Sequence, residues 1–293
     1  MDRRAFLKNS SIVAGGSALG LLAPSRLVAQ THYPYGIQLY TLREDMPDDP
    51  QAVLRQLAQF GYSQIESYEG PQGMFWGQSP ARFAAYVRDL GMDLVASHCS
   101  INEGFEQKAS DAAEAGMQYL ICPLIGPQAS MDDYRRYADT FNRCGEICRS
   151  NGLGFAYHNH HYSFFNMTND STGGESLKPQ DILMQNTDPD LVDFELDIFW
   201  LVAAGEDPIH WLRKYPGRFP FSHVKDRLAN MPADSFSATT TLGQGIIDYP
   251  SILPVAYELG MRWFMVEQES YAGTTPLDSS RDNAVYMQQF RFG

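Results

Sequence analysis

The 293-residue sequence predicts an α/β protein built as a single (β/α)8 TIM barrel. Three observations carry that prediction. Eight strand-like runs alternate with eight helix-like runs, with no long linker and no break in composition. Five helix-to-strand junctions carry glycine followed by an apolar or aromatic residue: Gly61-Tyr62, Gly91-Met92, Gly116-Met117, Gly152-Leu153 and Gly260-Met261. Glycine there supplies the left-handed conformation that ends a helix. Strict alternation calls for a parallel sheet covered by helices, and eight units in roughly 260 residues match a closed barrel. An open doubly wound sheet is the runner-up, but no GxGxxG follows the first strand.

The units follow in order. Strand 35–40 leads to helix 50–60, which Gly61 closes. Strand 64–68 leads to helix 79–90 and Gly91, and strand 93–98 to helix 105–115 and Gly116. Strand 118–122 precedes the long helix 130–150, ended by Gly152. Strand 153–160 pairs with helix 180–187, strand 191–197 with helix 207–214, and strand 219–225 with helix 248–259, ended by Gly260. Strand 262–268 and helix 276–289 complete the set. The longest irregular stretches, 160–180 and 226–247, each follow a strand. They therefore belong to the barrel face that carries active sites, as candidate lids.

Residues 1–29 read differently from the rest. Arg3, Arg4, Lys8 and Arg26 face one acid, Asp2, and an Ala/Gly/Leu stretch follows the basic head. That is signal-peptide architecture, too short and glycine-rich for a membrane span. Asp2-Arg3-Arg4-Ala5-Phe6-Leu7-Lys8 resembles a twin-arginine export motif, so we expect cleavage near Ala29 and a periplasmic barrel domain over 30–293. Without the leader the net charge moves from −13 to −16. Such acidity argues against nucleic acid and anionic membranes as partners. The export machinery and a small-molecule substrate are the expected ones, with self-association left open. Cys99, Cys122, Cys144 and Cys148 contain no CxxC and read as buried free thiols rather than disulfides or a zinc site.

Chemistry enters through polar residues on the inward face of buried strands, where each needs a reason to be. In the sixth strand Val192, Phe194 and Leu196 share one face, which leaves Asp193, Glu195 and Asp197 on the barrel interior. The seventh strand brings His223 and Lys225, the eighth Glu267 and Glu269, and the fifth His158 and His160. Glu66 and His98 come from the second and third. His158, Asp197, His223 and Glu267, crowded into one mouth, would repel or stay unpaired without a cation. One divalent metal is expected on these four, Mn, Co, Zn, Fe or Mg rather than Ca. Tyr40, Phe75, Trp76 and Trp200 suggest an apolar platform for a sugar ring, and Asn159 a further substrate contact.

Gly36-Ile37-Gln38-Leu39-Tyr40-Thr41, Tyr157-His158-Asn159-His160, Glu195-Leu196-Asp197-Ile198-Phe199-Trp200, His223-Val224-Lys225-Asp226 and Val266-Glu267-Gln268 together resemble the sugar phosphate isomerase/epimerase superfamily. These are the xylose isomerase-like TIM barrels that also include endonuclease IV, and the likeness is strongest to exported members. The resemblance implies a metal held by Glu, Asp, His and Glu from strands five to eight. The last three map onto Asp197, His223 and Glu267, whereas His158 stands where the first Glu is usual; Glu195 and Glu269 are fallback ligands. A symmetric exchange between two metal-bound glutamates is thus replaced by a single acid/base pair. Glu267 or His158 would serve on one side, and His160, His98, Lys225 or Glu66 on the other. Lys225 is also expected to stabilise a developing oxyanion.

The resemblance implies a metal-dependent isomerase or epimerase acting on a carbohydrate or keto-sugar, by proton abstraction beside a polarised carbonyl. A lyase or dehydratase on an oxidised sugar, inositol or 3-keto-glycoside shares the first step. A non-catalytic periplasmic sugar-binding protein is the alternative from another class.

Overall fold

The computed structural model describes residues 33–167 and 177–292. The expected leader over residues 1–29 and the centre of the 160–180 segment lie outside them. Eight parallel strands close into a barrel: β1 (Gly36–Gln38), β2 (Gln64–Tyr68), β3 (Asp93–His98), β4 (Tyr119–Cys122), β5 (Gly154–His158), β6 (Val192–Asp197), β7 (Phe221–Val224) and β8 (Trp263–Val266). Each pairs with its neighbours in sequence, and β1 closes on both β2 and β8. The fold class read from the alternation is the one observed.

Helices α1 (Pro50–Phe60), α2 (Pro80–Asp89), α3 (Phe105–Ala115), α4 (Met131–Ser150) and α5 (Pro179–Asn186) cover the first five strands. After β6 come α6 (Ile198–Ala203) and α7 (Pro208–Lys214), then α8 (Tyr249–Glu258) and α9 (Pro276–Met287). Proline begins α1, α2, α5, α7 and α9, where its missing N–H leaves no bond unmade and its fixed φ suits the helix. Asp49, Ser130, Asp207, Asp248 and Thr275 cap their helices with a side-chain oxygen that accepts a backbone N–H of the first turn. At the other ends the five junction glycines take φ between 76° and 109°, so the chain reverses into each strand as the sequence predicts. Helix α6 was not expected. Its six apolar residues are too few to show a helical period. The Asp197 carboxylate makes it a helix by accepting the Trp200 N–H.

The barrel interior changes character with height. Its closed end is filled by Tyr119, Phe221 and Trp263, whose ring centroids lie 4.4–5.6 Å apart. The Tyr119 hydroxyl donates to Asp193 at 2.7 Å. Ala96, Ile121, Ala156 and Met265 lie in the same apolar plug. Towards the strand C-termini, side chains of the same inward parity become Glu66, His98, His158, Glu195, Asp197 and His223. All four cysteines are free and buried, and burial raises each thiol. Among the described residues no helix is long and apolar enough to cross a membrane.

Close approach fixes one glycine without any backbone strain. A Cβ on Gly145 of α4 would overlap the Leu191 backbone carbonyl at the start of β6. A carbonyl cannot rotate away as a side chain does, so Gly145→Ala should cost about 1–3 kcal/mol. Urea unfolding should show a lower midpoint at unchanged slope, and an unchanged midpoint would refute the packing argument.

Candidate active site and metal centre

The C-terminal ends of β5 to β8 deliver four ligand-type side chains to one point. His158 Nε2 lies 3.3 Å from Asp197 Oδ2 and 3.1 Å from His223 Nδ1. His223 Nδ1 is 3.6 Å from Asp197 Oδ2 and 3.1 Å from Glu267 Oε2. Ligands around a tetrahedral ion with bonds of about 2.0–2.1 Å sit roughly 3.3 Å apart, so this set has the spacing of a metal cage.

Hydrogen bonds on the far sides of the rings decide where the lone pairs point. His158 Nδ1 donates to the Pro123 carbonyl at 3.0 Å, which turns the Nε2 lone pair inward. Burial, aided by His223, pulls the His158 pKa down to about 4, so the ring is neutral. His223 Nε2 faces Glu66 Oε2 and Glu195 Oε1, each at 3.3 Å. A proton there leaves Nδ1 free for an ion, the carboxylate-histidine arrangement found behind metal ligands. His158, Asp197 and His223 thus converge as a possible metal group, with Glu267 Oε2 beside His223 Nδ1, and the donor set fits a divalent cation. Asp197 and Glu267 are buried, which opposes their charge, but Lys225 together with the neighbouring histidines outweighs burial and holds both well below the usual range. Its Nζ is 2.7 Å from Glu267, 3.1 Å from Asp197 and 3.3 Å from Glu269.

A second convergent set lies alongside. His98 Nε2 stands 2.7 Å from both Glu66 Oε1 and Glu195 Oε2. One ring nitrogen carries one proton, and the hydrogen bond goes to Glu195, leaving Glu66 Oε1 without one. With His223, these residues could also hold a metal. In its absence they hold protons. Burial works against the charge of His98, but Glu66 and Glu195 lift its pKa to about 9. Burial, reinforced by Glu66, raises Glu195 to about 7.

A cavity of about 910 Å³ opens above these groups. His98, His158, His160, Glu267 and Glu269 reach its surface, and Tyr40 and Arg43 stand at its edge. Glu66 and Lys225 do not; both are fully buried and act on the groups that do. Three expected substrate contacts are corrected. Trp200 is completely buried, its ring stacked 5.4 Å from His160 and beneath the Lys225 ammonium, where it supports the site from behind. Trp76 turns inward to donate to Ser67 Oγ. Asn159 clasps the Asp197 backbone, donating to its carbonyl and accepting its N–H, both at 3.1 Å. Aromatic and amide side chains at strand ends look alike in sequence whether they face substrate or brace a ligand.

Two organisers escaped the sequence reading. Asp226 accepts backbone N–H bonds from Arg227, Gly243, Gly245 and Ile247. It thereby ties down the 226–247 segment, which also contains the short ladder Asp226–Arg227 with Thr239–Thr240. The Tyr249 hydroxyl brackets Lys225, accepting its N–H and donating to its carbonyl. The glycines at 243 and 245 were the available signal.

A closed parallel barrel with a ligand-rich C-terminal mouth defines the class: an enzyme of the TIM-barrel type with a candidate metal centre. Residues 54–290 match the family described as xylose isomerase-like TIM barrel, and the chain belongs to it. An inosose dehydratase of Clostridium tetani is 28% identical over 177 residues, 56% of each chain. The chain thus spans about half the length of the curated relatives it matches. A sugar phosphate isomerase/epimerase structure from Parabacteroides distasonis superposes with a TM-score of 0.75 at 28% identity, covering 91% of this chain and 96% of that one. The IOLI protein, solved with a zinc atom, shares the fold at 16% identity and TM-score 0.71, over 89% of this chain and 99% of its own.

Asn159→Ala should weaken divalent-metal binding about 10–100-fold while the protein stays folded; titration with Zn²⁺ or Mn²⁺ checks it. The raised pKa values set a pH dependence for metal-free protein. Glu195 and His98 keep protons in the folded state that the unfolded chain releases near 4.5 and 6.5. Their stabilisation is complete below those values and is lost as pH rises through about 7 and about 9. The Tm of metal-free protein should therefore fall between pH ~6 and ~9, and His98→Gln should flatten the upper half. A Tm that rises over this interval contradicts the assignment.

Proposed function

We propose that this chain is a metal-dependent lyase or dehydratase acting on an oxidised sugar or cyclitol. It would remove a proton from the carbon beside a carbonyl and expel an oxygen substituent from the next carbon. The observation that carries this reading is the uneven distribution of groups at the cavity surface. Glu267 and Glu269, the two cavity carboxylates that contact Lys225, come from the end of β8, while a third, Glu69, is paired with Lys108. The ends of β3 and β5, three strands away on either side, present the imidazoles of His98, His158 and His160. A base stands on one side and potential acids on the other, whereas symmetric proton exchange would place carboxylates on both.

A divalent ion on His158, Asp197, His223 and Glu267 would polarise the carbonyl and acidify the neighbouring C–H. The residues divide the remaining work. Glu267, held well below the usual carboxylate range, is suited to a ligand. Burial lifts Glu269 to about 7, and its Oε2 has no hydrogen-bond partner, which suits a general base near neutral pH. As the C–H bond breaks, Glu269 takes the proton and the electron pair forms the new C=C bond. The C–O bond beyond it breaks, and the departing oxygen takes a proton from His98. Lys225 positions both glutamates from below. The inosose dehydratase relatives support this outcome.

An isomerase or epimerase is the second reading, favoured by the likeness to the sugar phosphate isomerase/epimerase of P. distasonis. There an imidazole would return the proton to carbon. Incubation with keto-sugars and inososes in D₂O separates the two: deuterium retained at carbon without loss of water or aglycone sinks the lyase reading. Glu269→Gln should lower kcat about 10²–10⁴-fold with metal content unchanged, while full activity would remove Glu269 from the mechanism. We also place the mature barrel outside the cytoplasm, on the pattern of residues 1–29. Replacing Arg3 and Arg4 with lysine should hold the protein inside the cell, and unchanged export would contradict that placement.

A further inference from the structure

The cavity extends well beyond the reacting groups. Its volume of about 910 Å³ lies near the top of the roughly 300–1,000 Å³ range of small-molecule sites, and the histidines and glutamates take up only part of its lining. The loops after β3, β4 and β7, with α4, contribute another part: Ile101, Leu124, Ile125, Tyr137 and Phe236. Leu124 is 57% exposed and Phe236 54%. Large apolar side chains turned to solvent within a binding cleft mark a surface meant to be covered.

Most polar groups along this wall are already engaged. Glu69 accepts from Lys108 Nζ and from the Ser100 N–H. Lys108 also donates to the Ser100 carbonyl, and the Gln128 amide to that of Ile125. The Pro123 carbonyl is held by His158. A second sugar ring here would leave hydroxyls without partners, an unfavourable burial. An aromatic group would instead cover Leu124, Ile125 and Phe236 without stranding any polar atom.

We infer that the substrate has two parts: an oxidised sugar at the histidine and glutamate end, and an apolar, aromatic aglycone against Leu124, Ile125 and Phe236. The sugar half rests on the function proposed above; the aglycone half rests on this wall alone.

Calorimetric titration of metal-loaded full-length protein with phenyl β-D-glucopyranoside and methyl β-D-glucopyranoside tests it. The phenyl glycoside should bind at least ~10-fold tighter. Leu124→Asp and Phe236→Ala should each reduce that preference, leaving methyl glycoside affinity and metal content unchanged. Equal affinities, no measurable phenyl glycoside binding, or a preference that survives both substitutions would overturn the inference. So would a Leu124→Asp variant that changes oligomeric state by light scattering and not aryl affinity, since the wall would then belong to a second copy of the chain. Hydrogen exchange on simple keto-sugars without aryl preference would overturn this inference and leave the reaction standing. Aryl preference without exchange on any keto-sugar would support the inference and overturn the reaction.

Discussion

The His223 imidazole links the two charged layers of the barrel. Its Nε2 lies against Glu66 and Glu195 and its Nδ1 against Asp197 and Glu267, so one fully buried ring sets the proton inventory on both sides. Isolated charges at this depth would neutralise themselves by shifting their pKa values. Here Asp197, Glu267, His98 and the Lys225 ammonium have opposite charges close enough to keep them ionised, whereas burial favours the neutral forms of His158 and Glu195. The apolar plug of Tyr119, Phe221 and Trp263 seals the other end of the barrel, and the low dielectric there makes each contact above it matter more.

Everything around that ring serves to hold it and its partners still. Asn159 locks the Asp197 backbone, the same aspartate caps α6, and α6 brings Phe199 and Trp200 under Lys225. Asp226 and Tyr249 fix the chain on either side of Lys225. A metal ligand oriented by its own helix cap has little rotamer freedom left, which is the preorganisation that a binding or catalytic site needs.

A histidine at the end of β5 shapes the character of the mouth. A neutral His158 supplies a lone pair without a charge, while Glu267 and Glu269 bring carboxylates from the end of β8. Of the imidazoles opposite, His98 is held protonated by Glu66 and Glu195, whereas burial keeps His158 and His160 neutral.

The sequence by itself determined the barrel. Helix and strand periods, junction glycines and inward parity are local properties, and each predicted strand overlaps the observed one. It also pointed to the strands whose ends carry the candidate metal-site residues, because a charged residue on a doubly buried strand has few other reasons to exist. Tertiary structure alone decided what each polar side chain faces. Glu269 and Lys225 look equivalent as strand-end charges, yet one reaches the cavity and the other lies beneath it. Trp200 and Asn159 look like substrate contacts but brace the ligands. Parity selects a face of a strand, whereas depth, rotamer and hydrogen-bond partner depend on neighbours that are distant in the chain.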